Sequence, residues 1–569
     1  MGPAPIAQLR LFSIHPTGKK EHPEKTRELQ KEWGVTSCGN AQNCVQVCSK
    51  NIPLTDSIAA AGRDTSIWTS GTFMTLTKAQ STFWFSALFS RGFILFFLLT
   101  SGVGLMPDEA QYWTWSHFLD FGYYSKPPGI AWQIALGTHL FGDTELGVRF
   151  ISLLVPLLSA LIVVRIVVED TGNEKTGWLA ATAFLLSPIG MTGSLFATTD
   201  NGTILFWLLA IWYFTKNISQ PHRFLVVGCI IAFGALWKWM IYILWLEVLL
   251  FESVIKRHEV KPFITGIALS LLGMLPMVWW NYHNDWVTFR HAASALAGTH
   301  SSRPAGNPAE FFLAGIALLS PGFLILALPS LIKRKEGAEK ESFLRSIVLL
   351  VWGGLFLVSC FRKVQGNWAV AAEVILFPFV GITLHRKPAW QGWPFITACL
   401  VSIFMQALLW IGPYYGGTLL SCNPLKKAMG GDQIAGALIR AGYRPDQDFL
   451  FSDRYQSTSQ TWFYNPTQQK TYFFNIHGLR HNQFSYWPGM PEEAVGKTGY
   501  FVALIPVKEA RNFKQRAKKF STLLAPYFSK LSPAQKVWLT TRFGERVRCM
   551  ILIKAENYNG TAPLTPHKF

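Results

Sequence analysis

The sequence predicts a mainly α-helical, multi-pass membrane protein that ends in a smaller soluble α+β domain. Of the 569 residues, 50% are hydrophobic, 14% are aromatic and only 15% are charged, which is too apolar for an ordinary soluble enzyme. Apolar stretches recur between residues 83 and 413 and predict about eleven transmembrane helices. After Pro413, short β-strand patterns separated by Pro, Gly, Asn and Asp take their place.

The candidate spans vary in length, and several are shorter than the roughly 20 residues that a perpendicular transmembrane helix needs. They lie at 83–105, 146–168, 177–190, 202–215, 224–237, 239–255, 263–280, 311–332, 346–360, 369–384 and 394–413. The predicted strands are 449–452, 470–474 and 499–505. We therefore expect three parts: an N-terminal segment 1–78, a transmembrane domain 79–413 and a soluble domain 414–569.

The distribution of Lys and Arg predicts the orientation, because positively charged short loops stay on the cytoplasmic side of a membrane. Basic clusters at 256–261, 333–345 and 385–387 share one face, which we assign to the cytoplasm. The segments 106–145, 193–202, 280–310 and 362–368, together with Lys238, then lie outside, as does the C-terminal domain. The net charge of +19 fits such loops and anionic lipid, so nucleic acid is not an expected partner. The basic stretch 508–519 is either an amphipathic helix on anionic headgroups or a solvated helix.

Two acids open the first external segment, which reads PDEAQYW at residues 107–113. Proline followed by Asp108 and Glu109 is typical of a helix start, and acids in a first turn interact favourably with the helix dipole. A carboxylate at the membrane surface beside Trp113 is equally suited to act as a base on a substrate that a lipid carries. We favour the second interpretation for Asp108.

A lysine and two prolines follow in the same loop, which reads YYSKPPG at residues 123–129. The prolines stiffen the backbone directly after Lys126. A single lysine at this depth can simply extend its ammonium group to the lipid headgroups. The rigid, aromatic surroundings instead favour Lys126 as part of a binding site.

These motifs together resemble the first external loop of the GT-C glycosyltransferases, in particular the lipid A aminoarabinose transferases and the protein O-mannosyltransferases of the family 39 type. Further similarities are TDN at 199–201, Lys238 at the end of a helical hairpin, and WNYHNDW at 280–286. The resemblance covers roughly residues 83–413. The C-terminal stretch 480–487 also resembles a bacterial subgroup of this family, without a role that the sequence explains.

The resemblance implies a sugar donor linked to a polyprenyl phosphate. Asp108 would be the base or would orient the acceptor, Asp200 would be a second catalytic acid, and Lys126 would hold the phosphate. If the acceptor were already an ionised phosphate, no base would be required. For Asp200 and for the further cations Lys238, Arg290, Arg362 and Lys363, the alternative is that each is a charged loop residue exposed to solvent. The remaining expected substrate contacts are Glu109, Tyr124, Lys238, Asn281, Arg290, Arg362 and Lys363.

The expected activity is transfer of a hexose or pentose to an envelope lipid, glycan or protein at the outer face of the cytoplasmic membrane. Neither the sugar nor the acceptor follows from the sequence. The alternative is a polytopic transporter of a lipid-linked or small-molecule substrate. Transporters carry ionisable groups at mid-membrane and repeated halves with broken helices, whereas here the charges gather in external loops and no repeat is recognisable.

No cofactor is expected. His283, His291 and His300 with Asp285 match no compact metal-ligand spacing, so a divalent metal stays an open alternative that the sequence does not indicate.

The N-terminal segment contains three of the eight cysteines and is considered separately from the rest of the chain. Cys38, Cys44 and Cys48 resemble the last cysteine group of the succinate dehydrogenase iron–sulfur subunit. Ser49 stands where that family has proline, and the earlier cysteine groups are missing, so we expect no working cluster. The segment 1–73 is interpreted as a fused fragment without a function of its own, with Met74 as an alternative start.

Overall fold

The computed structural model describes residue 15 and residues 76–254, 259–297, 306–333, 338–421 and 423–564. Contacts divide the chain into two units, Met1–Ser81 and Thr82–Phe569. The predictions for Cys38, Cys44, Cys48 and Met74 lie outside the described residues.

The described part of the chain from Lys78 to Tyr415 is built mainly from helices. Its α-helices are Lys78–Ser101, Pro107–Ser116, Gly129–Phe141, Glu145–Thr171, Glu174–Leu186, Pro188–Leu195, Thr199–Lys216, Arg223–Ala235, Ile243–Val254, Val260–Ser270, Leu275–His283, Val287–Ala297, Pro308–Leu319, Pro321–Ile332, Glu339–Ile347, Gly353–Phe361, Val370–Glu373, Leu376–Arg386 and Trp393–Tyr415.

Five helices among the described residues are long and apolar enough to cross a membrane, or up to eight if each of three bent helix pairs is one span. The pairs bend by 57° at Ser187, by 95° at Ser320 and by 41° between Glu373 and Leu376. The sequence predicts about eleven spans, which is three more than the upper count of eight. These three form helices that are short or carry polar ends: Thr199–Lys216, Arg223–Ala235, and Trp239–Tyr242 with Ile243–Val254.

The helix Glu145–Thr171 connects two chemically distinct ends of the bundle. Its 27 residues span about 40 Å at 1.5 Å per residue. At its C-terminal end, the Lys340 ammonium group donates to the Glu169 carbonyl oxygen (2.8 Å), and Arg386 pairs with Glu341. The structure therefore places the basic segments around 340 and 386 at one end, as the sequence argument requires.

A six-stranded mixed sheet forms the core of the C-terminal domain. The strands are β1 Phe449–Ser452, β2 Thr471–Phe473, β3 Gly499–Pro506, β4 Phe528–Leu531, β5 Gln535–Thr540 and β6 Arg546–Tyr558. Their order is β2-β1-β3-β6-β4, and β5 also pairs with β6. β1 runs parallel to β2 and β3, whereas β6 is antiparallel to its neighbours. The three strands predicted from the sequence are β1, β2 and β3.

Both faces of the sheet are apolar, and each is covered. Side chains alternate along a strand, so Leu450 and Val502 face the membrane helices and pack in one cluster with Phe97 and Trp410. The neighbouring residues of the same strands point to the other face and pack against the helix Phe513–Leu524. The domain is thus fixed to the transmembrane helices through one face of its sheet.

The helix Phe513–Leu524 decides between the two interpretations of the basic stretch. Its apolar side chains Ala517, Phe520 and Leu524 are buried, the last two against the sheet face turned away from the membrane helices. The apolar side of this helix is therefore not available to insert between lipids, which leaves the solvated basic helix.

Candidate active site

The helix Pro107–Ser116 begins as the sequence predicts, with proline in its first turn. The Glu109 carboxylate accepts a hydrogen bond from the Met106 backbone N–H (2.9 Å), which caps the helix. Asp108 therefore is not needed for capping. The residue keeps access to solvent, although the protein atoms around its carboxylate exclude enough water to raise its pKa.

Glu109 is held by a buried ion pair. Arg149 donates from Nε to Glu109 Oε1 (2.9 Å) and from Nη2 to Oε2 (2.6 Å). Glu109 also accepts from the Ala197 N–H (2.9 Å), and Arg149 donates to the Gly104 carbonyl oxygen (2.7 Å). Both side chains are almost completely buried. This geometry corrects the expectation that Glu109 contacts a substrate: it joins two loops to a helix.

Arg149→Met should destabilise the protein by about 3–5 kcal/mol, because it leaves the Glu109 carboxylate buried without its cation. Denaturant titration of the protein in detergent measures this change. The double variant Glu109→Gln/Arg149→Met should recover part of the loss, since no unpaired charge remains. A single variant within 1 kcal/mol of the parent would contradict the assigned role.

The loop around Lys126 is fixed at both ends. The Tyr123 N–H donates to the Lys126 carbonyl oxygen (3.1 Å), which closes a tight turn. The Gly129 N–H donates to the Leu236 carbonyl oxygen (2.7 Å), and a Cβ at residue 129 would lie only 2.7 Å from that oxygen. Glycine therefore allows the lysine loop to contact the hairpin that carries Lys238.

Three more side chains meet beside this loop. Lys238 Nζ lies 2.7 Å from Asp200 Oδ1, and both side chains are about one-fifth exposed. Asn367 Nδ2 donates to the other oxygen, Oδ2 (3.1 Å). Asp200 thus has a cation on one oxygen and an amide on the other, which fixes its orientation.

Electrostatic interactions connect these groups to Asp108. Burial raises the pKa of Asp108, while the charges of Lys126 and Lys427 oppose that shift. Burial and the charge of Lys238 lower the pKa of Lys126, and Asp200 and Asp108 oppose it. The structure therefore brings Asp108, Lys126, Asp200 and Lys238 into one site with alternating charge.

Two tyrosines belong to the same site, and the sequence analysis did not identify them. Burial raises the pKa of Tyr112, and so do the nearby carboxylates Asp108 and Asp200. Burial and the charge of Asp108 likewise raise the pKa of Tyr455, and the charge of Arg480 opposes this shift. Tyr455 opens the helix Tyr455–Tyr464 of the C-terminal domain.

The stretch 480–487 closes over the first loop. Gln483 Oε1 accepts a hydrogen bond from the Tyr124 N–H (2.7 Å), and Arg480 Nη1 lies 3.3 Å from His291 Nδ1. The Tyr124 and His291 rings are 5.0 Å apart. This contact gives the C-terminal motif a structural role: it holds the segment that contains Tyr124 and Lys126.

Asn281 has a structural role as well, contrary to the expected substrate contact. It is fully buried, donates to the Met277 carbonyl oxygen (2.9 Å) and accepts from the Thr288 N–H (2.9 Å). These bonds support a turn in which Asp285 and Trp286 adopt positive φ angles of 52° and 56°.

Three further cations, Arg290, Arg362 and Lys363, are exposed. Arg290 is near enough to Tyr486 for its charge to oppose the burial that raises the pKa of that phenol. Arg362 and Lys363 lie in the segment that leads to Asn367. None of the three has a recorded contact with Asp108 or Asp200 within the described residues. Their expected role in phosphate binding stays a prediction.

Metal ligands do not converge in the described part of the chain: it holds no group of three or more His, Cys, Asp or Glu side chains that could bind an ion. His283 and His291 belong to that part, whereas His300 lies outside it.

The arrangement suits a group transfer with a phosphate leaving group. Lys126 and Lys238 supply positive charge where a phosphate would gain negative charge, and Asp108 offers a carboxylate with raised pKa beside them. A site of this kind needs a donor with a negatively charged leaving group and an acceptor with a nucleophilic oxygen.

Comparison with known proteins agrees with this chemistry. Residues 125–280 match the family described as dolichyl-phosphate-mannose-protein mannosyltransferase. The lipid A galacturonosyltransferase RgtD of Rhizobium johnstonii is 30% identical over 277 residues, covering 47% of this chain and 58% of that protein. The undecaprenyl phosphate-alpha-4-amino-4-deoxy-L-arabinose arabinosyl transferase 1 of Proteus mirabilis is 25% identical, covering 46% and 53%. The chain thus spans less than two thirds of the length of these relatives.

A separate similarity concerns the succinate dehydrogenase iron-sulfur subunit of Bacillus subtilis, which is 57% identical over 67 residues. The match covers 12% of this chain and 26% of that subunit, so the resemblance of the N-terminal segment is confirmed as partial.

Among solved structures, ArnT from Cupriavidus metallidurans superposes with a TM-score of 0.56 at 14% identity, covering 84% of this chain and 99% of ArnT. The structure of ArnT bound to undecaprenyl phosphate gives a TM-score of 0.55. This chain therefore folds as a multi-pass membrane protein like ArnT, and its residues 125–280 match the dolichyl-phosphate-mannose-protein mannosyltransferase family.

Proposed function

We propose that this protein is a glycosyltransferase that moves a sugar from a polyprenyl-phosphate donor to an acceptor of the cell envelope. The observation that carries the proposal is the site in which Asp108, Lys126, Asp200 and Lys238 meet. Lys126 and Lys238 stabilise the phosphate that leaves as the glycosidic bond breaks. Because that charge grows in the transition state, a fixed cation there lowers the barrier more than it tightens ground-state binding.

The names of the relatives support both substrates. One of them is an undecaprenyl-phosphate-sugar arabinosyl transferase, another is a lipid A galacturonosyltransferase, and ArnT has been solved with undecaprenyl phosphate. We infer a lipid-linked hexose or pentose as the donor and a lipid of the envelope as the preferred acceptor, ahead of a glycan or a protein. Asp108 either removes the proton of an acceptor hydroxyl or orients the acceptor.

A transfer assay tests this function. The full-length protein in detergent is incubated with a polyprenyl-phosphate sugar labelled in the sugar and with a total envelope-lipid extract. We expect label in a lipid of higher mass and release of the polyprenyl phosphate. Mass spectrometry of envelope lipids from cells with and without the gene identifies the added sugar. The assay is repeated with glycan and with protein fractions as acceptors. If the label stays on the donor with every acceptor fraction, the proposal is wrong.

We also infer that the site faces the outer side of the cytoplasmic membrane, with the segments around 340 and 386 inside. Cysteine labelling tests this in a variant without the native cysteines, since Cys229 and Cys360 are exposed. A thiol at Leu119, an exposed residue in the loop between Ser116 and Lys126, should react with an impermeant reagent in intact cells, whereas one at exposed Ala389 should react only after lysis. The reverse pattern would overturn the orientation.

A further inference from the structure

A crevice lies in the C-terminal domain at the carboxyl ends of β1 and β3. From β1 the chain passes through the helix Tyr455–Tyr464 to β2 on one side, and it later enters β3 on the other side of β1. Connections that leave a parallel sheet in opposite directions open a crevice at the carboxyl edge, where ligands of α/β proteins commonly bind. Here the crevice has a volume of about 360 Å³.

Positively charged side chains line this crevice. Arg454 follows β1, while Arg516 and Lys519 project from the helix Phe513–Leu524. His477 follows β2, and its Nε2 lies 3.1 Å from the buried carboxylate of Asp453. Arg516 Nη2 lies 2.7 Å from Glu509 Oε2, and Arg454 Nε lies 4.0 Å from Asp453 Oδ2. Three permanent cations thus face two carboxylates, which leaves the crevice with net positive charge.

The packing of the helix Phe513–Leu524 explains why two of its basic residues line the crevice. Phe520 and Leu524 anchor one side of the helix on the sheet. Arg516 and Lys519 are three residues apart and therefore share the adjoining side, which lines the crevice. Lys518 is exposed like Lys519 but does not line the crevice. It therefore serves as a control for the general charge of this helix.

The crevice adjoins the candidate active site through two segments of the chain. Arg454 and Leu479 line the crevice, while the residues that follow them, Tyr455 and Arg480, belong to the Asp108 site. Burial and the charge of Asp108 raise the pKa of Tyr455, and Arg480 opposes that shift. The crevice and the Asp108 site are therefore next to each other along two segments of the chain.

We propose that this crevice binds a phosphorylated sugar of the acceptor, next to the centre at which transfer occurs. The assignment to the acceptor rests on the proposed function. Among common saccharide substituents, the phosphate monoester carries close to two negative charges at neutral pH, so it interacts more strongly with a site of net positive charge than a single carboxylate does. Guanidinium groups also bind phosphate oxygens in pairs, and the volume fits a small ligand.

Calorimetry with the full-length protein in detergent tests the site directly. N-acetylglucosamine 1-phosphate should bind, whereas N-acetylglucosamine should not. Arg454→Gln and Lys519→Gln should each weaken binding about tenfold or more, as expected for loss of a charged hydrogen bond. Lys518→Gln on the same helix is the matched control and should bind normally. Unchanged binding by the double variant Arg454→Gln/Lys519→Gln, or equal affinity for inorganic phosphate alone, would overturn the proposal.

The transfer assay distinguishes a wrong assignment of the crevice from a wrong proposed function. The double variant should raise the KM for the envelope-lipid extract and leave kcat and the KM for the donor unchanged. If the parent protein transfers sugar and the variant has the same acceptor KM, the acceptor assignment is wrong although the function stands. If the parent transfers nothing but binds the sugar phosphate through Arg454 and Lys519, the function is wrong although the site stands.

Discussion

Asp108→Asn is expected to lower turnover by about 10²–10⁴-fold, the range of general acid–base catalysis, while stability barely changes. The capping bond to the Met106 N–H comes from Glu109, so the amide at residue 108 disturbs no recorded contact. Loss of a first-turn charge costs only about 0.3–1 kcal/mol. Turnover at saturating substrates and an unfolding titration of the same preparation give the two quantities.

The pH dependence provides a second measurement on Asp108. Burial raises the pKa of this carboxyl in the folded protein. A base must be ionised, so the rate falls as the pH drops through that raised pKa. The acidic limb of the profile should therefore lie above the ordinary aspartate value of about 3.9. Asp108→Asn should remove this limb.

The control for Asp108 is an exposed first-turn acid elsewhere, Glu174. Glu174→Gln should leave turnover unchanged. Glu109→Gln would be a poor control because Glu109 is buried against Arg149. If Asp108→Asn is fully active, either the acceptor is a phosphate that needs no base or Asp200 is the base. An Asp200→Asn assay then separates these two cases.

Lys126→Ala should lower turnover about a hundredfold, since one preorganised contact to transition-state charge contributes about 3 kcal/mol. Lys126→Arg should restore part of the rate, because arginine keeps the positive charge although its guanidinium group differs in shape from the ammonium group. Lys216→Ala, which removes a lysine paired with Glu169 at the other end of the bundle, is the matched control. Transfer at the parental rate by the Lys126 variant would remove its role in binding the leaving phosphate.

The Lys126 variant also makes a prediction about Asp108. Lys126 opposes the burial that raises the pKa of Asp108. Without that cation the pKa rises further, so the acidic limb should move to higher pH in Lys126→Ala and stay near its original position in Lys126→Arg. A limb that does not move would mean that the two groups do not interact during turnover.

Local sequence patterns predicted most of the fold. Each apolar stretch contains helix, and β1, β2 and β3 occur where alternating residues and turn signals indicated them. The motifs around Asp108, Lys126, Asp200 and Lys238 were also recognisable, and the structure brings them together. Bent pairs and short helices account for the uncertain number of spans, because hydrophobicity alone does not indicate where a helix bends.

Two further site residues, Tyr455 and Arg480, could not be predicted because their partners are distant in sequence. Tyr455 and Arg480 come from a domain more than 300 residues after Asp108, and nothing in their local sequence indicates that contact. Glu109 carries the same functional group as Asp108, so composition could not separate the structural acid from the candidate base. One signal was available: Arg149 stands in an apolar helix, where a buried charge requires a partner.

The contact between Gln483 and Tyr124 has a consequence for biosynthesis. The lysine loop is made early, but the segment that holds it lies 359 residues later and follows the last apolar helix. A nascent chain can therefore complete its helices long before this contact can form. The lysine loop gains its support only after the final domain has been made and has folded against the helices, so a chain that stops before residue 480 would lack it.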